Sequence, residues 1–172
     1  MLPNLPEGHG TTGFAHWCRW EWAAAEQSFR RALELNPLYV QGRCWRAYFL
    51  AAIGRHAEAL AEVERALDLD PVSHYAHMIA GEVFRYARRY DEAIASQRRA
   101  LGIHPDFALA QLFLGVALTG AARYDVAEPV LDAALKGTGR SPLFVGCAGA
   151  ARALAGRRQQ AREMLDEYSV AA

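Results

Sequence analysis

The feature that most constrains this chain is the recurrence of small and helix-ending residues at one constant spacing. This spacing, the separation of Ala25 from Ala59 in the sequence, is called the repeat interval below. Alanine recurs at the repeat interval along the whole sequence, and glycine and proline recur in registers of their own. The columns are Ala25, Ala59, Ala93, Ala127 and Ala161; Gly13, Ala47, Gly81, Gly115 and Gly149; and Pro37, Pro71 and Pro105. Because the register never slips, we expect one structural unit repeated without insertions.

Each unit is interpreted as two α-helices joined by a turn. A small residue such as Gly81 on the first helix would let the second helix approach at Ala93, since close packing tolerates little added volume. Proline ends the second helix because it lacks an amide donor and restricts the residue before it. The pattern predicts an all-α chain, a stacked α-solenoid forming a single domain over residues 1–172. The units are about 6–39, 40–73, 74–107, 108–141 and 142–172.

Helix-start signals agree with this division. Ser73, Asp91, Asp125 and Ser141 stand where capping side chains are expected, the last followed by a proline at the first helical position. Pro129 falls inside a predicted helix, where we expect a local kink. The predicted helices are roughly 6–19, 23–36, 40–53, 57–70, 74–87, 91–104, 108–121, 125–137, 142–155 and 159–168.

Composition and charge exclude several classes of function. The 19 basic and 19 acidic side chains cancel, so we expect no direct binding of nucleic acid or of an anionic membrane. The longest charge-free run, residues 107–122, is shorter than the ~20 residues that a bilayer span needs. The three cysteines are too scattered for a disulfide framework, which favours a reducing compartment. We therefore expect a cytoplasmic protein.

This pattern resembles the tetratricopeptide repeat family, whose units have the same length as the repeat interval. The residues that carry the resemblance are Gly13, Trp22, Ala25, Phe29, Ala32 and Pro37 in unit one; Gly81, Phe84, Tyr90, Ala93, Ala100 and Pro105 in unit three; and Leu114, Gly115, Leu118, Tyr124, Ala127 and Leu131 in unit four. Gln97 departs from the family, which places an aromatic residue there. The resemblance implies a right-handed α-solenoid of about five units. Residues 20–37 are also similar to repeat blocks of bacterial multidomain signalling and transcriptional regulator proteins.

The resemblance further implies that the first helices of the units line a concave groove that binds a peptide or a partner helix. Helical spacing then selects the residues that would face a partner in the groove. They are Trp17, Tyr48, Tyr75, Met78, Glu82, Arg85, Leu109, Leu112 and Val116. Aromatic and methionine side chains suit such a surface because they contribute large contact areas at a low cost in conformational entropy.

Signals for catalysis or metal binding are weak. His74 and His77 are close in sequence and could share one face of a helix, but a metal site would need a third ligand. None of the five serines lies in a nucleophile-elbow or phosphate-loop pattern. We therefore expect a protein that is not an enzyme and that needs no metal or cofactor.

Three hypotheses for function remain. The first is a scaffold that binds a protein or peptide partner, of unknown identity, in its concave groove. The second is a structural spacer or self-association module of a larger bacterial regulator, with homo-oligomers formed through an end that no further helix covers. The third is a metal or ligand sensor that depends on His74 and His77.

Overall fold

Ten α-helices make up the regular structure of the part of the chain that the computed structural model describes, residues 5–138 and 141–171. They are α1 (Pro6–Cys18), α2 (Trp22–Leu35), α3 (Val40–Ala52), α4 (His56–Leu69), α5 (His74–Tyr86), α6 (Tyr90–Ile103), α7 (Ala108–Gly120), α8 (Tyr124–Gly137), α9 (Pro142–Leu154) and α10 (Arg158–Ala171). The all-α class is confirmed. The largest difference from the predicted bounds is at the end of α10, predicted at 168 and found at Ala171.

Consecutive helices pair into five hairpins, and the hairpins stack into two layers. Each odd-numbered helix contacts the odd-numbered helix of the next hairpin. The even-numbered helices, in contrast, contact only odd-numbered ones among the described residues. The odd-numbered helices therefore form one continuous layer, and its surface away from the even-numbered helices is called the odd-helix face below.

The alanine columns lie where the helices pack. Ala25, Ala59, Ala93 and Ala127 are fully buried, and Ala161 is 6% exposed. A second alanine column, with members at positions 32, 66, 100 and 134, is also fully buried. Since close-packed neighbours surround these methyl groups, a larger side chain would have to displace a helix.

The glycine column makes room for a different side chain from the one expected. A β-carbon added to Gly81 would overlap Nε2 of Gln97, so this glycine faces Gln97 and not Ala93. A β-carbon on Gly115 would overlap Cγ of Leu131. In both hairpins the glycine and the residue that fills its space are equally far apart in the sequence. The chain between them crosses the turn and places the second residue at the facing position of the second helix.

The turns differ from the predicted capping pattern. Ser73 does cap α5, its Oγ accepting a bond of 3.2 Å from the amide of Ala76. Ser141 precedes α9 without a side-chain capping bond. The helices α6 and α8 begin one residue before Asp91 and Asp125, so these carboxylates lie in the first turn and not at the cap. There they still favour the helix, because the N-terminus carries partial positive charge.

Arginines that precede the even-numbered helices tie neighbouring hairpins together. They recur at the repeat interval, at positions 55, 89, 123 and 157. Three form ion pairs with the preceding hairpin: Arg55 with Glu26 at 2.6 Å, Arg123 with Asp91 at 2.6 Å, and Arg157 with Glu128 at 2.9 Å.

The remaining predicted irregularity, Pro129, lies inside α8, which continues through it to Gly137.

The packing at Gly115 generates a first prediction. Gly115→Ala should destabilise the protein by about 1–3 kcal/mol, since the new methyl group must displace Leu131. The matched control is Gly102→Ala in α6, where an added β-carbon meets no atom within 4 Å. That change should stabilise the helix by about 0.5–1 kcal/mol. Urea unfolding measures both, and equal effects would contradict the packing role of Gly115.

The polar side chain at Gln97 generates a second prediction. Gln97 is fully buried, and its Nε2 donates to the carbonyl of Met78 at 3.0 Å while its Oε1 has no partner. Gln97→Leu should stabilise the protein by about 1 kcal/mol, because it removes a buried unsatisfied acceptor. Leucine fits the equivalent place beside Gly115. The exposed change Gln27→Leu is the control for unfolding measurements, and a loss of stability in Gln97→Leu alone would refute the argument.

Candidate functional site

The nine residues predicted to contact a partner all lie on odd-numbered helices, but their exposure differs. Leu109 is exposed, and five are half-buried: Trp17, Tyr48, Tyr75, Arg85 and Val116. Met78, Glu82 and Leu112 are buried, with 3%, 0% and 0% of their surface exposed. The helices α3, α5 and α7 each have an odd-numbered helix on both sides, so their side chains that are directed at these neighbours are covered. These three residues therefore offer a partner almost no contact area.

Aromatic side chains form a cleft at the end of α1. It has a volume of about 230 Å³ and is named the aromatic cleft. Its lining residues are Phe14, Trp17, Cys18, Trp20, Trp22 and Tyr48. The ring of Trp17 packs edge-on against Tyr48, with centroids 5.1 Å apart, and against Phe14 at 5.6 Å. The predicted residues Trp17 and Tyr48 thus line one cleft.

A second cleft lies farther along the stack, between α5, α7 and α9 and beside the start of α6. It has a volume of about 250 Å³ and is named the distal cleft. Its lining residues are Arg85, Tyr90, Val116, Thr119, Gly120, Cys147, Ala150 and Leu154. Tyr90 packs so closely over Gly120 that an added β-carbon would lie 2.5 Å from its ring. The predicted residues Arg85 and Val116 meet here.

Side chains of α3 and α5 connect the two clefts. The rings of Tyr48 and Tyr86 have centroids 6.0 Å apart, and the guanidinium of Arg85 lies 4.5 Å from the centroid of the Tyr86 ring. Tyr48 lines the aromatic cleft and Arg85 lines the distal cleft. One connected strip of aromatic and apolar surface therefore runs along the edge of the odd-helix face, and it includes Trp22 and Tyr90, the first residues of α2 and α6.

A buried ion pair fixes the centre of this strip. Arg85 donates two hydrogen bonds to Glu82, from Nε to Oε1 at 2.9 Å and from an Nη to Oε2 at 2.7 Å. Burial raises the pKa of the Glu82 carboxyl, while the bonds from Arg85 act in the opposite direction. The guanidinium is thus oriented and its charge offset, so the face is nearly neutral at its centre.

Tyr75 lies apart from the two clefts. Its hydroxyl accepts a bond of 3.0 Å from Nε1 of Trp45, and burial raises the pKa of Tyr75 to about 12. This phenol stays neutral near pH 7 and ties α5 to α3. Tyr75 and Leu109 line neither cleft.

The two histidines considered as metal ligands have other contacts. The Nε2 of His77 lies 3.0 Å from the carbonyl oxygen of Pro71, and His77 is buried. His74 packs against His104 and Phe107, at centroid distances of 5.0 and 4.9 Å. Within residues 5–138 and 141–171, no group of three His, Cys, Asp or Glu side chains is placed to hold a metal ion.

Sequence reasoning missed several residues of the strip. One column recurs at the repeat interval from Cys18 and contains Tyr86, Gly120 and Leu154. It lies one position after the column that contains Arg85. Extending the inward-facing positions by one residue would have identified them. Trp20 could not be found in this way, because it lies in the turn between α1 and α2 and not on a helix face.

Comparison with protein families decides the classification. The model of the tetratricopeptide repeat matches residues 21–74, 52–106 and 80–142, which together span 21–142 of the 172 residues. The chain belongs to the tetratricopeptide repeat family. Tetratricopeptide repeats are protein-binding scaffolds and are in general not catalysts. A comparison with curated proteins finds no match.

Solved structures of tetratricopeptide repeat proteins share the fold. A thermophilic protein of this kind from Thermus thermophilus is 20% identical, with a TM-score of 0.87 over 94% of this chain and 89% of that one. PilW, described as a widely conserved type IV pilus biogenesis factor, is also 20% identical, with a TM-score of 0.81 over 98% and 79%. PilF of Pseudomonas aeruginosa is 17% identical, with a TM-score of 0.78 over 97% and 76%. At these identities the likeness concerns the fold alone.

No helix in the described part of this tetratricopeptide repeat chain has the length and apolar character needed to cross a membrane.

The ion pair of Glu82 and Arg85 generates a third prediction. Arg85→Ala should destabilise the repeat array by about 3 kcal/mol, because it leaves a buried carboxylate without its partner. The double change Glu82→Gln with Arg85→Ala should lose less, since no buried charge remains. The control Arg89→Ala breaks an exposed pair with Glu92 and should have a much smaller effect.

The effect of pH gives an independent check on the same variant. Without Arg85, the already raised pKa of Glu82 should rise further. A carboxyl whose pKa is raised in the folded state stabilises that state when protonated, and this stability is lost as the pH rises through the raised pKa. The deficit of Arg85→Ala should therefore shrink on acidification from neutral pH. A deficit that does not change with pH would contradict the burial of a bare carboxylate.

Proposed function

We propose that this tetratricopeptide repeat chain is a binding module that holds a segment of a partner protein along its odd-helix face. The observation that carries the proposal is the connected strip from the aromatic cleft to the distal cleft. An extended peptide or a partner helix would lie across α1, α3, α5, α7 and α9, with apolar side chains seated in the two clefts.

The chemistry of the strip supports binding and not catalysis. Burial raises the pKa of the Cys147 thiol in the distal cleft, although the charge of Arg85 acts against this. A catalytic thiol needs the opposite shift, since the thiolate is the nucleophile. Burial also raises the pKa of the phenol of Tyr48. Neutral groups of this kind contribute contact area and hydrogen bonds.

The balance of charge indicates the general character of the partner. Arg85 is the charged group in the distal cleft, and both its Nε and one Nη are bonded to Glu82. Leu154 is 63% exposed at the edge of the same cleft. A neutral segment with a branched apolar side chain at this point would cover Leu154 and Val116 without leaving a charge unpaired.

Site-specific crosslinking tests the proposal. A photoreactive amino acid placed at Leu154, beside the distal cleft, should form adducts with the partner in cells. The matched control is Val72, which is 71% exposed in the turn between α4 and α5 and lines neither cleft. Adducts at both positions with equal yield, or at Val72 alone, would show that the odd-helix face is not the binding surface.

Purified components then give the energetic test. The crosslinked segment, identified by mass spectrometry, is synthesised and titrated against the parent protein and against Val116→Ala. Truncation of a half-buried side chain in the distal cleft should weaken binding about tenfold, or about 1.4 kcal/mol. Exposed Leu38→Ala serves as the control, and equal affinities of the two variants would remove the distal cleft from the site.

A further inference from the structure

Trp20 occupies a backbone conformation that a large side chain rarely adopts. Its φ is 65°, in the left-handed region. Every hairpin places a residue there, in register with the repeat interval, and the others are Gly54, Arg88, Ala122 and Gly156. Glycine adopts this conformation freely, whereas other residues are strained. Trp20 is also 74% exposed, so core packing does not explain its presence.

The ring of Trp20 forms one side of the aromatic cleft. It packs edge-on against Trp22, with centroids 5.2 Å apart. Trp17 and Tyr48 form another side, also edge-on, at 5.1 Å. The volume of about 230 Å³ is below the ~300 Å³ at which clefts begin to enclose drug-sized molecules, and it suits a few side chains of a peptide.

Three indole N–H groups of this cleft have no hydrogen-bond acceptor within residues 5–138 and 141–171. Of the four tryptophans, Trp45 donates to the hydroxyl of Tyr75. For Trp17, Trp20 and Trp22, the described part of the chain provides no acceptor for Nε1. The side chains of Trp20 and Trp22 are 74% and 40% exposed, and that of Trp17 is half-buried, so these indoles border open solvent. The residues that line the cleft therefore combine ring surfaces with indole N–H groups that are free to bond backbone carbonyl oxygens of a ligand.

The charge around the cleft argues against a cationic ligand. Glu21, between Trp20 and Trp22, is already bound by His16 and by Arg19, the latter at 3.0 Å. These contacts lower the pKa of the Glu21 carboxyl, the hydrogen bond with His16 having the largest effect, and hold it as a paired anion. A methylated ammonium group in an aromatic cage is attracted by the ring faces. Here the nearby carboxylate of Glu21 is already paired with Arg19, so it adds nothing to that attraction.

We infer that the aromatic cleft binds a proline-rich segment of the partner protein, an inference that rests on the proposed function because it specifies the partner at one end of the odd-helix face. Proline rings are flat, apolar and uncharged, so they stack on aromatic walls without losing a side-chain hydrogen bond. A polyproline II segment leaves its carbonyl oxygens without internal partners, and indole N–H groups can donate to them. The segment is rigid before binding, which reduces the entropy lost.

The test uses the intact protein and a blocked oligoproline peptide. Nitrogen-15 labelling gives one indole N–H signal for each of the four tryptophans. The signals of Trp17, Trp20 and Trp22 should shift as the oligoproline is added, while that of Trp45, bonded to Tyr75, should stay in place. The comparison probes are a glycine-serine peptide of equal length and that glycine-serine peptide with one trimethyl-lysine.

One substitution separates binding from folding. Trp20→Gly places at this turn the residue found at Gly54 and Gly156, so it should fold at least as stably as the parent. It should bind the oligoproline about tenfold more weakly. Arg88→Gly relieves the same backbone strain at the equivalent turn of the third hairpin, outside the cleft, and should bind like the parent.

Each outcome decides the inference. Selective shifts together with loss of binding in Trp20→Gly alone support it. Absence of shifts, equal shifts of all four signals, unchanged binding by Trp20→Gly or tighter binding of the trimethyl-lysine peptide would overturn it. If Leu154 crosslinks a partner while the oligoproline fails to bind, the proposed function stands and the proline-rich assignment falls. If Leu154 captures nothing, the proposed function itself fails.

Discussion

The structure depends on the close approach of helices at residues with little or no side chain. A glycine on an odd-numbered helix leaves the space that a large side chain of its partner helix fills, as Gly115 does for Leu131. The buried alanine columns keep the remaining crossings tight. Since interiors are close-packed, each such contact fixes the position of a helix, and repetition at a constant interval carries the same geometry into the next hairpin. The arginines at the hairpin junctions add ion pairs to a stack that packing has already defined.

The sequence predicts this scaffold well because the period of the small residues follows directly from the packing. It does not show which side chain fills each space: Gly81 faces Gln97, and spacing alone suggested Ala93. Exposure on the odd-helix face was also only partly predictable. Met78 and Leu112 have the right helical phase, but the neighbouring odd-numbered helices cover them, which depends on the stacking of hairpins and not on the phase of one helix.

Trp20 shows a different limit. Helical periodicity reads the faces of helices, and this residue lies in a turn whose left-handed backbone is visible only in the structure. In the sequence, Trp20 recurs in one column with Gly54 and Gly156. Only the φ angles show that this column marks a left-handed backbone position. The exposure of Trp20, and its place among indoles that have no acceptor in the described part of the chain, are likewise evident only in the structure.

The separation of packing positions from surface positions explains how one scaffold can carry different surfaces. The column that passes through Cys18, Ala52, Tyr86, Gly120 and Leu154 varies from glycine to tyrosine without a shift in register. It can vary because most of its members lie at the edge of the odd-helix face, away from the crossings that glycine and alanine keep close. Gly120 is the exception, since a β-carbon there would overlap the ring of Tyr90, and both residues line the distal cleft. The surface is thus free to change at most of this column, and it is coupled to packing where an aromatic ring of one hairpin rests on the backbone of the next.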